Sequence, residues 1–215
     1  MPEGPRATVF AVDDDESFLR AIERVLRLGG YAVEPVASPV AFFDRAPSPA
    51  LGCVLVDLQM PDMSGLEFQD RLRTGGWTQP VVFLSGQGTI PATARALKGG
   101  ALDFLTKPVR AEELLEAVGQ AVAMHATILS THETLGVLRS RFASLTPRER
   151  EVCLGVARGQ LNKQIAYDLH LTLATIKFHR ARGLIKLGVS SVPELVLLCD
   201  RIGVLETPTG PVCAR

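Results

Sequence analysis

CVLVDLQMPDMSG, residues 53–65, is the stretch on which the fold turns. Four apolar residues, Cys53–Val56, run straight into Asp57. Leu58–Gly65 follows, with the breakers Pro61 and Gly65, and reads as a loop. Three other stretches share this plan: Thr8–Val12 (TVFAV) runs into Asp13, Asp14 and Asp15; Val81–Leu84 (VVFL) into Ser85; Phe104–Thr106 (FLT) into Lys107-Pro108. Short apolar runs separated by helical stretches read as strands of a parallel sheet. Such sheets bind ligands beyond the carboxyl ends of their strands. Carboxylates, a hydroxyl and an ammonium are therefore expected at one spot, the makings of a divalent-metal and phosphoryl site.

Working outward, Glu16–Leu28 carries Phe18, Ile22, Val25 and Leu26 at helical spacing and stops at Gly29-Gly30. Ala32–Val36 reads as a further strand. Ser38 as N-cap and Pro39 at the first helical position open a short helix through Phe42-Phe43. Leu66–Leu72 and Pro91–Lys98 are helical and end at glycine pairs; another helix starts near Ala111. The sum is five βα units, a small doubly wound domain. From Glu112 to about Phe142, Leu115, Val118, Val122, Ile128, Leu135, Leu138 and Phe142 keep the helical pattern. This is either a long helical linker interrupted between Thr127 and Thr134, or an ordinary last helix followed by a disordered tether.

Leu145-Thr146-Pro147-Arg148-Glu149 opens a second pattern with a capping box, Thr146 at the N-cap and Glu149 three positions on. That helix runs to Arg158 and Gly159 ends it. Asn162 is the expected cap of a helix over Lys163–Leu169, and Thr172 of one over Leu173–Leu187, ended by Gly188. Pro193–Ile202 is a fourth helix, and Thr207–Arg215 a frayed tail. The expected domains are 1–122, a helical linker 123–142, a helical domain 143–205 and a tail 206–215.

The chain is 215 residues long, with 23 Lys/Arg balanced by 23 Asp/Glu. Residues 1–124 carry a net charge of −5 and residues 125–215 one of +5. This asymmetry points to two domains, the basic one suited to nucleic acid. Cys53, Cys153, Cys199 and Cys213 match no zinc spacing. The first three lie in apolar periodic segments and read as buried thiols of a reducing compartment. MPEGPRATVF lacks the basic and apolar regions of a signal peptide, and no uncharged apolar stretch reaches about 18 residues. The expectation is a cytoplasmic protein.

Magnesium takes oxygen ligands, commonly one or two protein carboxylates with water and phosphate oxygens. Adjacent acids at a strand end supply them, and Asp57 on a neighbouring strand can attack phosphorus. Lys107 can neutralise a phosphate oxygen, and Ser85 can hydrogen-bond another. In this order, DDD, DLQMPDMSG, Ser85 and Lys107-Pro108 resemble the receiver domain of two-component response regulators over about residues 7–122. The resemblance implies a flavodoxin-like α/β fold. It makes Asp57 the phosphoacceptor, with Asp13, Asp14, Asp57 and the Gln59 backbone carbonyl as ligands of Mg2+ (or Mn2+). Asp15 is instead read as a helix N-terminal charge. Lys107 and Ser85 would contact the phosphoryl group, with Phe104 as the aromatic that swings inward, and the Lys107–Pro108 bond would be cis. Gln59 and Gln87 are expected to set the phosphate lifetime.

The Leu173–Leu187 segment offers Ile176, Leu184 and Leu187 to a core and Lys177, His179, Arg180 and Arg182 to phosphates and base edges. LTPREREV, NKQIAYDL, TIKFHR and KLGV resemble the LuxR-type helix-turn-helix over about 143–203. The whole is similar to FixJ- or NarL-type regulators, the FixJ type more so. The base-reading positions implied are Lys177, Phe178 and Ala181, with Lys163, His179, Arg180, Arg182 and Lys186 also facing DNA. Phe178 either contacts thymine methyls or packs as core. Gly183 suggests a close helix approach. The resemblance implies a phosphorylation-controlled transcription regulator, not an enzyme with a separate substrate. Its partners would be a sensor histidine kinase, promoter DNA, a second copy on phosphorylation, and RNA polymerase. Two rival readings are a phosphohydrolase of the haloacid-dehalogenase type and a DNA-binding protein whose receiver no longer responds to phosphate. The first needs a second acid where Gln59 stands.

Overall fold

The computed structural model describes residues 6–86 and 90–205. Gln87, Cys213 and the tail 206–215 lie outside the described residues. The chain divides into two compact units, Met1–Ser130 and Thr131–Arg215.

The first unit alternates strands and helices: β1 (Thr8–Val12), α1 (Glu16–Leu28), β2 (Ala32–Val36), α2 (Pro39–Phe43), β3 (Gly52–Asp57), α3 (Gly65–Thr74), β4 (Val81–Ser85), α4 (Ile90–Lys98), β5 (Asp103–Thr106) and the start of α5 (Ala111–Ala143). The sheet is parallel in the order β2-β1-β3-β4-β5. Successive side chains of a strand point to opposite faces, so each central strand feeds two cores. On one face Val9, Ala11, Cys53, Leu55, Val82 and Leu84 pack against Leu19, Ile22 and Leu26 of α1 and Leu114, Val118 and Ala121 of α5. On the other, Phe10, Val12, Val54, Val56 and Phe83 meet Phe42, Phe68, Leu72 and Trp77. Phe42 is fully buried among rings, its centroid 4.5 Å from Trp77, 5.0 Å from Phe68 and 5.9 Å from Phe10. Cover on both faces explains why the strands read as unbroken apolar runs rather than as alternating ones.

The strand order reverses between β1 and β3, the place where doubly wound sheets open a crevice. Val12 pairs with Val56, so Asp13, just past β1, and Asp57, the last residue of β3, follow side by side.

Helix α5 is continuous from Ala111 to Ala143, contrary to the expected interruption between Thr127 and Thr134. The hydroxyls there do not break it. Thr127 Oγ1 donates to the Ala123 carbonyl at 3.2 Å and Ser130 Oγ to the Thr127 carbonyl at 2.9 Å, bonds that lie within the helix.

The second unit holds α6 (Pro147–Ala157), α7 (Asn162–Asp168), α8 (Leu173–Leu187) and α9 (Val192–Arg201) around Val152, Cys153, Ile165, Ile176, Leu187, Leu195 and Cys199. Thr146 and Glu149 form the expected capping box of α6. Thr172 caps α8, and Gly188 closes it in the left-handed conformation at φ 70°. At α7 the expectation was one residue off. Leu161, not Asn162, holds the N-cap, and Gln164 Oε1 reaches back to the Leu161 amide at 2.7 Å. Asn162 Oδ1 instead accepts from Arg180 Nη1 at 3.3 Å, which removes it from capping duty.

Candidate functional site

The edge of the sheet at the carboxyl ends of β1, β3, β4 and β5 gathers the residues singled out above. Asp13, Asp57 and Ser85 are buried, and Asp14 is exposed. Carboxylate oxygens of Asp13, Asp14 and Asp57 lie within 4.8 Å of one another. Lys107 Nζ stands 2.5 Å from Asp13 Oδ2 and 3.3 Å from Asp57 Oδ1. The Lys107–Pro108 peptide is cis. Three carboxylates facing one ammonium leave a local excess of negative charge, and hard oxygen donors suit a divalent cation.

Local chain chemistry builds this arrangement. Asp15 caps α1, its Oδ1 accepting from Ser17 and Phe18 amides at 2.8 and 3.1 Å. The Asp15 amide in turn donates to Asp13 Oδ1 at 3.0 Å, so the helix start fixes the Asp13 carboxylate. The loop after β3 folds back tightly, with the Gly65 amide on the Leu58 carbonyl at 2.9 Å. A Cβ at residue 65 would sit 2.5 Å from the Asp57 carbonyl oxygen, so only glycine permits the return. Ser64 then caps α3 in a reciprocal box with Glu67.

Burial pushes the Asp57 carboxyl above its ordinary range, Lys107 pulls it back down, and Asp13 adds repulsion. This balance favours any ligand that supplies positive charge. The Cys53 thiol, by contrast, is pushed up to about 12 by burial, and that of Cys153 to about 11. Neither carries a thiolate at neutral pH.

Phe104 is half-buried, its ring centroid 6.3 Å from that of Phe83. The Gln59 side chain, two residues beyond Asp57, is exposed. One contact escaped the sequence reading: Lys107 Nζ lies 4.2 Å from the Phe18 ring centroid. Phe18 was assigned to the core stripe of α1. Its place four residues after Asp14, on the first turn facing the strand ends, was the available signal.

Sequence reasoning placed a second site on α8. Lys177, Phe178, Ala181 and Arg182 are exposed there, while His179 and Arg180 are half-buried. Phe178 is 55 % exposed, which removes the core alternative. Its ring stands 5.5 Å from the Arg182 guanidinium and 5.6 Å from the His179 ring. Lys163 is exposed at the start of α7. Lys186 is not held with the others. Its ammonium lies 2.6 Å from Glu149 Oε2, on a buried side chain, and 3.5 Å from the Ser144 carbonyl oxygen. Lys186 and the Thr146 cap hold Glu149 at about 2. Glu149 therefore ties α8 to α6, a role that only the capping half of its pattern announced.

Comparisons with known proteins cover both regions. A family profile described as the response regulator receiver domain matches residues 9–119, and one for bacterial regulatory proteins of the luxR family matches 143–199. Response regulator protein TodT of Pseudomonas putida is 38% identical over 196 residues, covering 91% of this chain and 86% of that one. Transcriptional regulatory protein FixJ of Rhizobium meliloti is 36% identical over 193 residues, covering 88% and 93%. Among solved structures, the response regulator StyR superposes with a TM-score of 0.78 at 38% identity, covering 91% of this chain and 99% of that one. Full-length FixJ from B. japonicum gives 0.57 at 30%, covering 94% and 100%.

Proposed function

The chain belongs to the response regulators that join a receiver domain to a LuxR-type DNA-binding domain, and on that premise we propose that Asp57 is its phosphoacceptor and α8 its recognition helix. It is a phosphorylation-controlled transcription regulator, not an enzyme of the dehalogenase type. The observation that carries the residue assignment is the convergence of Asp13, Asp14, Asp57 and Lys107 at the reversal point of the sheet.

Asp13, Asp14 and Asp57, with the Gln59 carbonyl, would hold Mg2+ or Mn2+. Bound there, the cation supplies charge neutralisation to the phosphoryl oxygens. The remaining work belongs to side chains. An Asp57 oxygen attacks the phosphorus of a phosphohistidine on the sensor kinase, and the P–N bond breaks with its electron pair returning to the imidazole. Lys107 exchanges its carboxylate partners for a phosphoryl oxygen. Ser85 turns its hydroxyl toward another, and Phe104 follows inward. The altered surface over α4, β5 and the start of α5 pairs with a second copy. Two copies of α8 then meet half-sites about 34–36 Å apart on DNA, and the second domain binds at high effective concentration. Lys177, Phe178, His179, Ala181, Arg182 and Lys163 form the DNA face; Arg180 and Lys186 support it from within. Gln59, two residues beyond Asp57, governs the hydrolysis of the phosphoryl group, and Gln87 is the second amide expected from the sequence to do so. The site of action is the cytoplasm, with RNA polymerase as a further partner. Among the described residues no helix is long and apolar enough to cross a membrane, in keeping with that site.

The test is labelling by a small phosphodonor with Mg2+, for wild type and Asp57→Asn, followed by solution mass and a DNA shift. Wild type is expected to label, gain mass and bind DNA more tightly; the variant does none of these. Labelling that survives Asp57→Asn overturns the assignment. Phosphorylation that leaves mass and DNA affinity unaltered overturns the dimerisation step.

A further inference from the structure

Cations are only part of what α8 presents outward. Reading its exposed positions in order gives Leu173, Ala174, Lys177, Phe178, Ala181, Arg182 and Ile185. These recur at the three- and four-residue spacing of one helix face. Five of the seven are apolar, and the large ones are open to solvent: Leu173 at 41 %, Phe178 at 55 % and Ile185 at 78 %. The two cations are Lys177 and Arg182. Arg180 is turned to Asn162, and Lys186 to Glu149. The helix thus spends its charge partly on its own domain and shows an apolar stripe where it would enter the groove.

The major-groove edges of the bases carry donors and acceptors, and one apolar group, the C5-methyl of thymine. An apolar side chain that enters the groove without meeting a methyl buries polar base edges unpaired, which disfavours binding. Placed in the groove, the Phe178 ring therefore has one favourable partner. Small residues flank it at Ala174 and Ala181, so the ring stands clear of the helix surface, and the guanidinium of Arg182 lies 5.5 Å from its centroid. The guanidinium that braces the ring also stands with its Nε 3.9 Å from Glu149 Oε1, so part of its charge is met by its own domain.

We propose that this regulator selects its operators by thymine methyl groups, read by Phe178 at the centre of the α8 stripe, with Leu173 adding a second apolar contact. The inference rests on α8 being the recognition helix and adds to it the chemical class of base that is read. Burying one methyl contributes about 0.8 kcal/mol, or about fourfold in affinity at 1.4 kcal/mol per tenfold.

The full-length phosphorylated protein is used to select sites from randomised duplex DNA. The winning site is then remade with deoxyuridine in place of each thymidine, which removes the methyl and keeps every hydrogen-bonding group. Binding is expected to weaken about fourfold for each contacted methyl. In Phe178→Ala the thymine-to-uracil ratio at one position per half-site falls to near one, while salt-dependent binding to bulk DNA persists. Phe178 is exposed, so this variant keeps the fold, checked by its circular dichroism. A wild-type ratio near one at every position overturns the inference, as does an unchanged ratio in Phe178→Ala. Selection of no sequence at all overturns the assignment of α8 as recognition helix, and the inference with it.

Discussion

Replacing Gly183 by alanine tests whether the recognition helix is seated by close approach to α6. In an open helix interior, glycine to alanine stabilises by about 1 kcal/mol. Gly183 is not open. It faces α6, and a Cβ there would stand closer than 3.0 Å to Cys153 Sγ and 3.7 Å from the Glu149 carbonyl oxygen. Cys153 is fully buried, so its sulfur has no vacant space to enter. Overpacking of this kind costs about 1–3 kcal/mol, which cancels or outweighs the gain in propensity. The decisive comparison is the same substitution in Cys153→Ala. With the sulfur gone, Gly183→Ala is expected to recover its stabilisation of about 1 kcal/mol. The two sites are then coupled by about 1–3 kcal/mol. Urea unfolding of the full chain reads this: far-UV circular dichroism follows the helices, and Trp77, the single tryptophan, reports the receiver separately. DNA affinity should fall in Gly183→Ala and return in the double variant. An equal effect of Gly183→Ala in the two backgrounds would refute the reasoning, since no contact would then join Gly183 to Cys153.

Three further outcomes are expected. Magnesium at a hundredfold excess over its dissociation constant should stabilise the receiver by about 2.7 kcal/mol, measured by Trp77 fluorescence on melting; Asp13→Asn should abolish the response. His125 is buried, its Nδ1 accepting the Gly52 amide at 3.0 Å and its Nε2 2.9 Å from Thr78 Oγ1, so it is held neutral and burial lowers its affinity for a proton. The unfolded chain takes up that proton near pH 6.5, so receiver stability should be full above that pH and decline as pH falls below it; His125→Gln should flatten the decline, and an unaltered slope would count against His125 as its source. Glu149, at about 2 when folded against about 4.3 unfolded, contributes stability that is present above pH 4.3 and lost as pH falls toward 2; Glu149→Gln should remove that acid-side loss, followed by circular dichroism.

The receiver site was legible because its geometry is a consequence of chain order. A residue just beyond a parallel strand lies at the carboxyl edge whatever the helices do. Asp13, Asp57, Ser85 and Lys107 therefore converge once the runs before them are strands. Phe18 was hidden because it satisfies two patterns at once: it fits the core stripe of α1, and it also lies beneath the Lys107 ammonium. The uninterrupted α5 was misread for a similar reason. Thr127, Ser130, Thr131 and Thr134 look like a break by propensity, yet hydroxyl bonds onto preceding carbonyls remain available inside a helix. At α7 the sequence pointed to Asn162 because its side chain is the better cap. Arg180 won that side chain from 18 positions away, and the cap passed to Leu161 with Gln164 in support.

The DNA face was legible only in part, and the reason bears on specificity. Periodicity tells which side of α8 a residue occupies, but not which distant residue meets it there. Lys186 falls at a basic position, and its partner is Glu149, 37 positions earlier on a different helix. A buried carboxylate left without that ammonium would be strongly disfavoured, so the pair is not free to open toward phosphate. Counting charge from sequence therefore overstates what DNA meets. Lys186 and Arg180 are committed to their own domain; of the two cations on the exposed stripe, Lys177 and Arg182, the second also stands 3.9 Å from Glu149 Oε1, and Phe178 lies between them in sequence and open to solvent. A recognition helix with little charge to place must discriminate through shape and apolar contact, which gives the Phe178 ring more weight in choosing operators than the basic composition of the domain suggests.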